Sequence, residues 1–325
     1  MTATLHGPVA IELDGVTKTF EGSDSDAVAE LTLSIPSGEL VVFVGPSGCG
    51  KTTTLRMING LERPTSGIVS IDGQDISRRD TTDVRREMGY VIQQVGLFPH
   101  RTVRANIATV PKLLGWSRDR IADRLDELVE LMDLEPSVLD RYPAALSGGQ
   151  QQRVGVARAL AADPPILLMD EPYSAVDPVV RAKLQRELID LHRRLGTTIV
   201  MVTHDIDEAI IVADRIAVFA DGGHLAQYAT PDSLLANPAD EFVAEFLGEE
   251  RSLRRLGLAP LKSVALRAVG ADTRGLPQLD LDATARQALD LLLSSGEDQV
   301  VVTRAGQVLG AVGLAELTGA LDQPT

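Results

Sequence analysis

The sequence has little of what marks secreted, nucleic-acid-binding or membrane-spanning proteins. Only one of its 325 residues is cysteine, Cys49, so an internal disulfide and a cysteine-based zinc site are both excluded, consistent with a reducing compartment. Aromatic residues make up 3% of the chain, and no run of about 18 apolar residues occurs. The net charge of −15 argues against binding of nucleic acid, which usually requires a basic face.

The chain start, MTATLHGPVAIELDG, has no basic region followed by an apolar core, as a signal peptide would have. Hydrophobic residues make up 44% of the chain, which is typical of an ordinary globular protein. The length allows one large domain and one small one. We therefore expect a soluble, cytoplasmic protein that meets a membrane only through a partner.

Short apolar runs typical of strands alternate with helical patterns over much of the chain. The strand signals are VAIEL, LTLSI, ELVVFV, GIVSID, MGYVIQ, PILLMD, TTIVMVT and RIAVFA. Strands separated by helices favour an α/β fold with a largely parallel central sheet. The sequence predicts one domain over residues 1–250 and a smaller unit over residues 251–325, where the character of the chain changes.

A purely helical region interrupts the α/β pattern, and we interpret residues 94–160 as an inserted helical subdomain. Its clearest feature is one apolar stripe at 3.6-residue spacing with Asp and Arg on the opposite face. The stripe consists of Ile121, Leu125, Leu128, Val129 and Met132.

The strongest motif is a phosphate-binding loop, GPSGCGKTT at residues 45–53. It follows the apolar strand VVFV and opens a helical pattern, which is the context that the pattern G-x-x-x-x-G-K-S/T requires. The glycines allow successive backbone N–H groups to surround phosphate, and the helix N-terminus adds positive potential. We expect Lys51 to contact the β- and γ-phosphates of a nucleotide and Thr52 to bind magnesium.

A second apolar strand, ILLMD, ends in Asp170, and Glu171 follows directly after it. Asp170, at the tip of a buried strand, is placed to reach the hydration shell of magnesium, which is the Walker-B role. Glu171 is placed to orient or deprotonate the attacking water. Such a pair alone usually marks a solvated strand end, but behind a phosphate loop we interpret it as catalytic.

Polar residues also end two neighbouring strands, Gln93 after MGYVI and His204 after IVMVT. Each alone would more often be a capping or hydrogen-bonded structural residue. Because parallel strands bring their carboxyl ends to one edge of a sheet, we expect four strand ends to meet at one phosphate. Gln93 would then bridge magnesium, the water and the helical insert, and His204 would contact the γ-phosphate.

A second helix start contains two glycines, in LSGGQ at residues 146–150. Ser147 and Gln150 have the spacing of a capping box, but Gly148 and Gly149 weaken the first turn and this local interpretation does not explain them. A bare backbone would allow a γ-phosphate to approach closely. Since the phosphate loop already holds one nucleotide, the second site is predicted to serve a nucleotide of another subunit, in a head-to-tail sandwich dimer.

The motifs GPSGCGKT, VIQQVGLFPH, LSGGQQQRV, ILLMDEP, SAVD and VTHD, in this order, resemble the nucleotide-binding subunit of an ABC transporter. The resemblance covers residues 9–247 and implies a P-loop NTPase core with ATP and Mg²⁺ as cofactors. It also implies a cycle in which two copies close on ATP and open on hydrolysis. Further implied partners are integral-membrane permease subunits, bound at the helical insert and the Q-loop cleft, and indirectly a solute-binding protein. The chain would lie on the inner face of the cell membrane.

The same resemblance implies roles for individual residues. Glu171 would be the catalytic base, His204 the switch histidine and Gln93 the Q-loop glutamine. The implied magnesium ligands are Thr52, Gln93 and Asp170. The implied ATP-binding residues are Phe20, which takes the place of the adenine-stacking tyrosine, Gly45, Ser47, Gly48, Cys49, Gly50, Lys51, Thr52, Thr53, the D-loop Asp177 and, for the opposite subunit's ATP, Ser147, Gly148, Gly149 and Gln150.

Within that family, the phrases TTTLRMING, GYVIQQVGLFPH, VTHDIDEAIIVADRIAVF and NPADEFVAEFLGEER resemble importers of quaternary amines such as glycine betaine, choline and carnitine. An ATPase subunit does not touch the transported solute, so this assignment is by analogy. Importers of polyamines or sugars are the alternative. A soluble ABC ATPase of DNA repair or translation is a more distant one, because this chain has neither a long coiled-coil insertion nor a second cassette.

The tail resembles one cystathionine-β-synthase (CBS) motif, with a helix, a strand VVVT, a turn RAG, a strand VLGAVG and a closing helix. We therefore expect a small α+β CBS-like module, with residues 253–269 as at most a degenerate first half. Where nucleotide-binding copies have Ser/Thr-x-x-Asp, this chain has Gly313 and Glu316. A regulatory role and a role as a packing or dimerisation appendage are both open.

Overall fold

The computed structural model describes residues 9–93, 96–174, 176–269, 273 and 275–321. Residues 1–8, Gln94 and Val95 of the predicted Q-loop motif, and Ala175 of SAVD lie outside the described residues. The chain divides into two compact units, of which the first ends at Tyr228 and the second begins at Ala229. No helix among the described residues is both long and apolar enough to span a membrane.

The strands are β1 (Val9–Thr19), β2 (Asp26–Pro36), β3 (Leu40–Val44), β4 (Ser66–Ile71), β5 (Gln74–Asp75), β6 (Met88–Val91), β7 (Ile166–Asp170), β8 (Thr198–Val202), β9 (Arg215–Ala220), β10 (His224–Ala229), β11 (Gln278–Asp280), β12 (Val300–Arg304) and β13 (Gln307–Val312). The α-helices are α1 (Lys51–Ile58), α2 (Thr81–Arg86), α3 (Val103–Ile107), α4 (Thr109–Leu113), α5 (Arg118–Leu131), α6 (Gly148–Leu160), α7 (Pro178–Leu195), α8 (Ile206–Val212), α9 (Pro231–Ala236), α10 (Glu241–Leu247), α11 (Arg251–Leu258), α12 (Ala285–Ser295) and α13 (Leu314–Gly319).

A six-stranded sheet forms the centre of the first unit, in the order β10-β9-β3-β8-β7-β6. The pairs β9-β3, β3-β8, β8-β7 and β7-β6 are all parallel. Every residue of β3, β7 and β8 is buried, which explains why these strands are continuous apolar runs rather than alternating ones. The predicted α/β fold with a parallel sheet is therefore confirmed, and the carboxyl ends of β3, β6, β7 and β8 share one edge.

A separate antiparallel sheet in the first unit has the order β2-β1-β4-β5. Sequence analysis identified parts of β1, β2 and β4 as strands but did not separate them from the central sheet. The inner side chains Leu31, Leu33 and Ile35 of β2 join Phe43 of β3 and Leu55 of α1 in one hydrophobic core. This shared core fixes α1, and with it the loop before it, between the two sheets.

The helical insert between β6 and β7 consists of α3, α4, α5 and α6, as predicted. The apolar stripe predicted on α5 is buried throughout, with exposures from 0% at Leu128 to 8% at Ile121. Helix α5 ends at Leu131, so Met132 is its C-cap rather than its last helical residue.

The second unit contains a three-stranded sheet in the order β11-β12-β13, in which β11 and β12 are parallel and β12 and β13 antiparallel. The helix, two strands and closing helix predicted for the tail are present as α12, β12, β13 and α13. Leu256, Leu261 and Val264, from the segment that precedes β11, are buried in the same core as Val302. A bridge between Arg267 and Ala311 places that segment along β13. It therefore covers part of the small sheet within the same chain.

The division between the units differs from the boundary that sequence analysis placed at residues 250 and 251. Helices α9 and α10 belong to the second unit, whose first residue is Ala229. Asp232 of α9 accepts a hydrogen bond of 2.8 Å from Arg255 of α11, and both side chains are largely buried. This ion pair and the contacts between α9 and α11 place the boundary about two helices earlier in the chain than the predicted one.

Candidate functional site

The loop between β3 and α1 has the backbone of a phosphate-binding loop. Gly48 has a φ of 87° and Gly50 a φ of 90°, which residues with side chains rarely adopt. A Cβ at Gly50 would lie 2.1 Å from the carbonyl oxygen of Ala27, whereas a Cβ at Gly48 would meet no atom within 4 Å. Gly50 is thus required by packing, and Gly48 keeps one side of the loop open.

Lys51 spans this loop. Its Nζ donates hydrogen bonds of 2.8 Å to the Gly45 carbonyl and 2.7 Å to the Pro46 carbonyl, and the side chain is almost fully buried. Cys49 is also buried, with its Sγ 3.4 Å from Lys51 Nζ. The loop therefore presents backbone N–H groups beside a single fixed positive charge, which is the chemistry that binds a phosphate chain.

Asp170 lies at the end of β7 and accepts a 2.9 Å hydrogen bond from Thr52 Oγ1. Burial raises the pKa of Asp170, and the hydrogen bonds from Thr52 and Tyr90 act in the opposite direction. A carboxylate and a hydroxyl side by side are oxygen ligands of the kind that Mg²⁺ takes, usually one or two from protein together with phosphates. The described residues contain no cluster of three His, Cys, Asp or Glu side chains able to hold a metal alone. The donor set therefore fits Mg²⁺ bound jointly with a nucleotide.

Glu171 has a strained backbone, with a φ of 45°. A non-glycine residue in this region costs free energy and is found mostly where function requires it. The conformation is held by its N–H, which donates a 2.9 Å hydrogen bond to the Val202 carbonyl of the neighbouring strand. The backbone that carries the Glu171 side chain is therefore tied to β8.

Two of the predicted residues converge on one oxygen of Glu171. Gln93 Nε2 donates a 2.8 Å hydrogen bond to Oε2, and His204 Nδ1 lies 3.5 Å from the same atom. The side chain of Glu171 is 22% exposed and that of His204 58% exposed, so water reaches the group. The cluster can therefore hold and orient a carboxylate beside solvent, as a general base requires.

The capping box predicted at LSGGQ is present. Ser147 Oγ accepts from the Gln150 N–H at 3.3 Å, and Gln150 Oε1 accepts from the Ser147 N–H at 3.0 Å. The two glycines differ: a Cβ at Gly149 would lie 3.0 Å from Val180 Cγ1, whereas a Cβ at Gly148 would meet nothing within 4 Å. A side chain at Gly149 would therefore require Val180 to shift, whereas one at Gly148 would meet no described atom.

The remaining predicted residues lie on the same unit. Asp177 is the N-cap of α7, where its Oδ1 accepts from the N–H groups of Val179 and Val180 at 3.1 Å. The ring of Phe20 is 42% exposed, and Lys18 Nζ lies 4.9 Å from its centroid. Ser47 is exposed and Thr53 half-buried.

Tyr90 was missed by sequence analysis. Its hydroxyl lies 3.5 Å from Asp170 Oδ2, and burial raises the pKa of Tyr90, so it stays a neutral hydrogen-bond donor. The strand MGYV gave the signal, because Tyr90 is the one polar-tipped side chain in it. Which strand it would face depends on the strand order, which sequence does not show.

Comparison with known proteins agrees with this geometry. The sequence profile described as ABC transporter matches residues 28–174. The glycine betaine/carnitine/choline transport ATP-binding protein OpuCA of Bacillus subtilis is 47% identical over 299 residues, covering 92% of this chain and 77% of OpuCA. The glycine betaine uptake system ATP-binding protein YehX of Escherichia coli is 47% identical over 309 residues, covering 94% of this chain and 98% of YehX.

Among solved structures, a dimeric post-hydrolysis state of the ATP-binding cassette MJ0796 bound to ADP and Pi superposes with a TM-score of 0.61. It is 36% identical, and the match covers 68% of this chain and 98% of the cassette. The fold, the phosphate loop and these relatives agree, and the chain belongs to the ABC transporter family as one of its ATP-binding, ATP-hydrolysing subunits.

Proposed function

We propose that this chain is the ATPase subunit of an importer of quaternary-amine osmoprotectants. The observation that carries the proposal is the extent of the similarity to OpuCA and YehX. Those matches run over 299 and 309 residues, whereas the first compact unit ends at Tyr228. The likeness therefore includes the second unit as well as the ATPase core. OpuCA is named for glycine betaine, carnitine and choline, and YehX for glycine betaine.

For hydrolysis, we assign the catalytic base to Glu171. Its carboxylate is fixed by the Gln93 amide on one side and lies near His204 on the other, at distances of 2.8 and 3.5 Å. In this arrangement Glu171 Oε2 orients and deprotonates the attacking water. Gln93 holds the rotamer of the carboxylate, and His204 senses the γ-phosphate.

For nucleotide binding, we assign the phosphates to the backbone of residues 45–50 and to Lys51, which exchanges the carbonyls of Gly45 and Pro46 for phosphate oxygens. Thr52 and Asp170 would hold Mg²⁺ together with Gln93, which follows β6. Bound there, Mg²⁺ neutralises charge that develops on the phosphates. Phe20 offers its exposed ring face to adenine.

Two copies are proposed to face each other, so that residues 147–150 of one copy meet the ATP of the other. Asp177, at the start of α7, lies in the same interface. Permease subunits are proposed to bind the helical insert, which places the chain on the inner face of the cell membrane. A solute-binding protein takes part only indirectly.

The test is isolation of the chain with its own permease from native membranes, followed by transport in vesicles. We expect ATP-dependent uptake of labelled glycine betaine, choline or carnitine. A matched preparation with Glu171→Gln should keep the complex intact and lose uptake. Uptake of spermidine or a sugar, with no uptake of any quaternary amine, would assign the chain to the alternative class of importer.

A further inference from the structure

Glu208 is a buried carboxylate outside the proposed catalytic cluster. It lies in the first turn of α8 and is 5% exposed. Its Oε1 accepts a 3.1 Å hydrogen bond from Nε2 of Gln185, which is also 5% exposed. Burial raises the pKa of Glu208, and hydrogen bonds from Thr203 and Gln185 oppose that shift. Burying a carboxylate costs free energy, so the residues that Glu208 contacts indicate its role.

One of its partners, Thr203, is the residue directly before His204. Thr203 is 2% exposed, its N–H donates a 3.0 Å hydrogen bond to the Phe43 carbonyl, and its side chain interacts with the Glu208 carboxylate, whose pKa it lowers. Thr203 Oγ1 in turn accepts from the Asp205 N–H at 3.1 Å. The backbone on both sides of His204 is thus fixed through the hydroxyl of Thr203.

The other partner belongs to α7. Gln185 lies one turn after Arg181, so both face the same side of the helix. Arg181 Nη1 lies 3.5 Å from Asp205 Oδ2, and Arg181 Nη2 donates to the Val176 carbonyl at 3.2 Å. One face of α7 is therefore linked to both neighbours of His204. Arg181 contacts Asp205 directly, and Gln185 is linked to Thr203 through Glu208.

We propose that Glu208 is a positioning residue that couples the placement of His204 to helix α7, which begins at Asp177. In the described part of the chain, no hydrogen bond or ion pair joins Glu208 to the phosphate loop or to Glu171, and Glu208 acts through Thr203. A shift of α7 would then be passed to His204 through Gln185, Glu208 and Thr203. The inference rests on the proposed role of His204.

The first test compares Glu208→Gln with Glu39→Gln. Gln at 208 has one acceptor oxygen in place of two and carries no charge, so its hydrogen bonding to Gln185 and Thr203 should be weaker than that of the carboxylate. We expect kcat to fall about tenfold while KM for ATP changes less than about twofold. Glu39 is the control: it is a partly buried carboxylate paired with Arg215, its pKa is also raised by burial, and it lies at the opposite end of β3. Equal kcat for Glu208→Gln and wild type would overturn the proposal.

A double-mutant cycle then separates positioning from general destabilisation. In a His204→Ala background, Glu208→Gln should cause no further loss in the single-turnover rate, because the group it positions is gone. An equal fold-loss in both backgrounds contradicts the coupling. His204→Ala alone tests the proposed function: a wild-type rate there removes His204 from hydrolysis, whereas a slow His204→Ala with additive Glu208→Gln removes only Glu208.

A swap of the two partners supplies the rescue. The variant Gln185→Glu with Glu208→Gln restores one carboxylate opposite one amide, and the amide oxygen at 208 remains able to accept from Thr203. We expect kcat within about threefold of wild type. A swap variant that folds, by circular dichroism, but stays as slow as Glu208→Gln shows that this hydrogen-bonded pair does not position His204.

Discussion

Two helices of the first unit begin in glycine-containing loops that the sequence predicts to bind phosphate, and their first turns differ. Helix α1 has Gly50 as its N-cap in a left-handed conformation and no side-chain cap, so its N–H groups face the loop. Helix α6 is closed by the capping box of Ser147 and Gln150. The first site is completed by side chains of the same chain, from β7 and the segments after β6 and β8. The second offers only its own cap and an open Gly148.

The two helix starts differ in what they are proposed to contribute to an interface between two copies. At α1 the N–H groups and Lys51 are proposed to bind the phosphates, while Asp170 is proposed to hold Mg²⁺ and Glu171 to activate the attacking water. At α6 the cap fixes the helix start without a ligand, so the turn is preformed before a partner arrives. A preformed surface loses less entropy on association.

The largest effect is expected at the site before α1, which side chains of the same chain complete. Glu171→Gln removes the base and keeps the hydrogen bond from Gln93 possible at the side-chain oxygen, so ATP binding should persist while kcat falls at least about 100-fold. ATP binding by fluorescence and steady-state hydrolysis measure the two. An ATP-bound dimer should accumulate in size-exclusion chromatography. Hydrolysis near the wild-type rate would remove Glu171 from the role.

The second largest effect is expected at Gly148. Gly148→Asp introduces a carboxylate at a position with no neighbour within 4 Å, in the first turn of a helix where acidic residues are favourable. Stability should hold, whereas repulsion of the partner's γ-phosphate should lower hydrolysis by at least about tenfold, or 1.4 kcal/mol. ATP binding to the monomer through Lys51 should be unchanged.

Gly148→Ala is the matched control, because it fills the same space without charge. Gly149→Asp is a less clear test, since any side chain there also meets Val180. If Gly148→Asp hydrolyses ATP at the wild-type rate, no phosphate approaches this turn and the sandwich arrangement is wrong.

Smaller effects are expected at Ser147, where Ala should mainly lower stability and Asp should mainly lower hydrolysis. Ser147→Ala removes the cap and should lower the free energy of unfolding by about 1 kcal/mol. Ser147→Asp keeps a good cap, so stability should match wild type, but its charge should lower hydrolysis more than Ala does. Urea unfolding and hydrolysis rates of the two variants give the comparison. If Ala is the slower enzyme, Ser147 acts only as a cap.

The smallest effect is a gain in stability at Asp170. Burial raises the pKa of Asp170 above its ordinary 3.8, so the folded chain binds more protons than the unfolded chain and its stability falls as the pH rises through that pKa. Asp170→Asn retains an oxygen acceptor for Thr52 and cannot ionise. Without nucleotide at pH 7, its Tm should exceed that of wild type by about 2 °C or more.

This gap should close as the pH is lowered and Asp170 becomes protonated. Asp190→Asn, which changes an exposed residue of α7, should shift Tm by less than about 1 °C. Thermal melts in chelator-containing buffer across the acidic range decide the matter. A gap of constant size at every pH would show that ionisation of Asp170 is not its cause.

The sequence predicted the parallel sheet, the phosphate loop, the helical insert and the capping box, because each depends on residues close together in the chain. It did not predict the four-stranded antiparallel sheet as a separate layer, because a local strand pattern does not show which other strand it pairs with. The unit boundary at residues 228 and 229 was missed for a similar reason. Asp232 is assigned to the second unit by its pairing with Arg255, and that pairing leaves no local pattern.

The sequence alone determined which residue types stand at the ends of β3, β6, β7 and β8, because apolar periodicity and glycine spacing are local properties. The tertiary structure alone decided that Gln93 and Glu171, 78 residues apart, share one hydrogen bond, and that His204 lies at the same oxygen. It also decided the positive φ of Glu171, which the Val202 carbonyl of the neighbouring strand holds in place. These features depend on strand order and register, which are set only when the sheet assembles around its core.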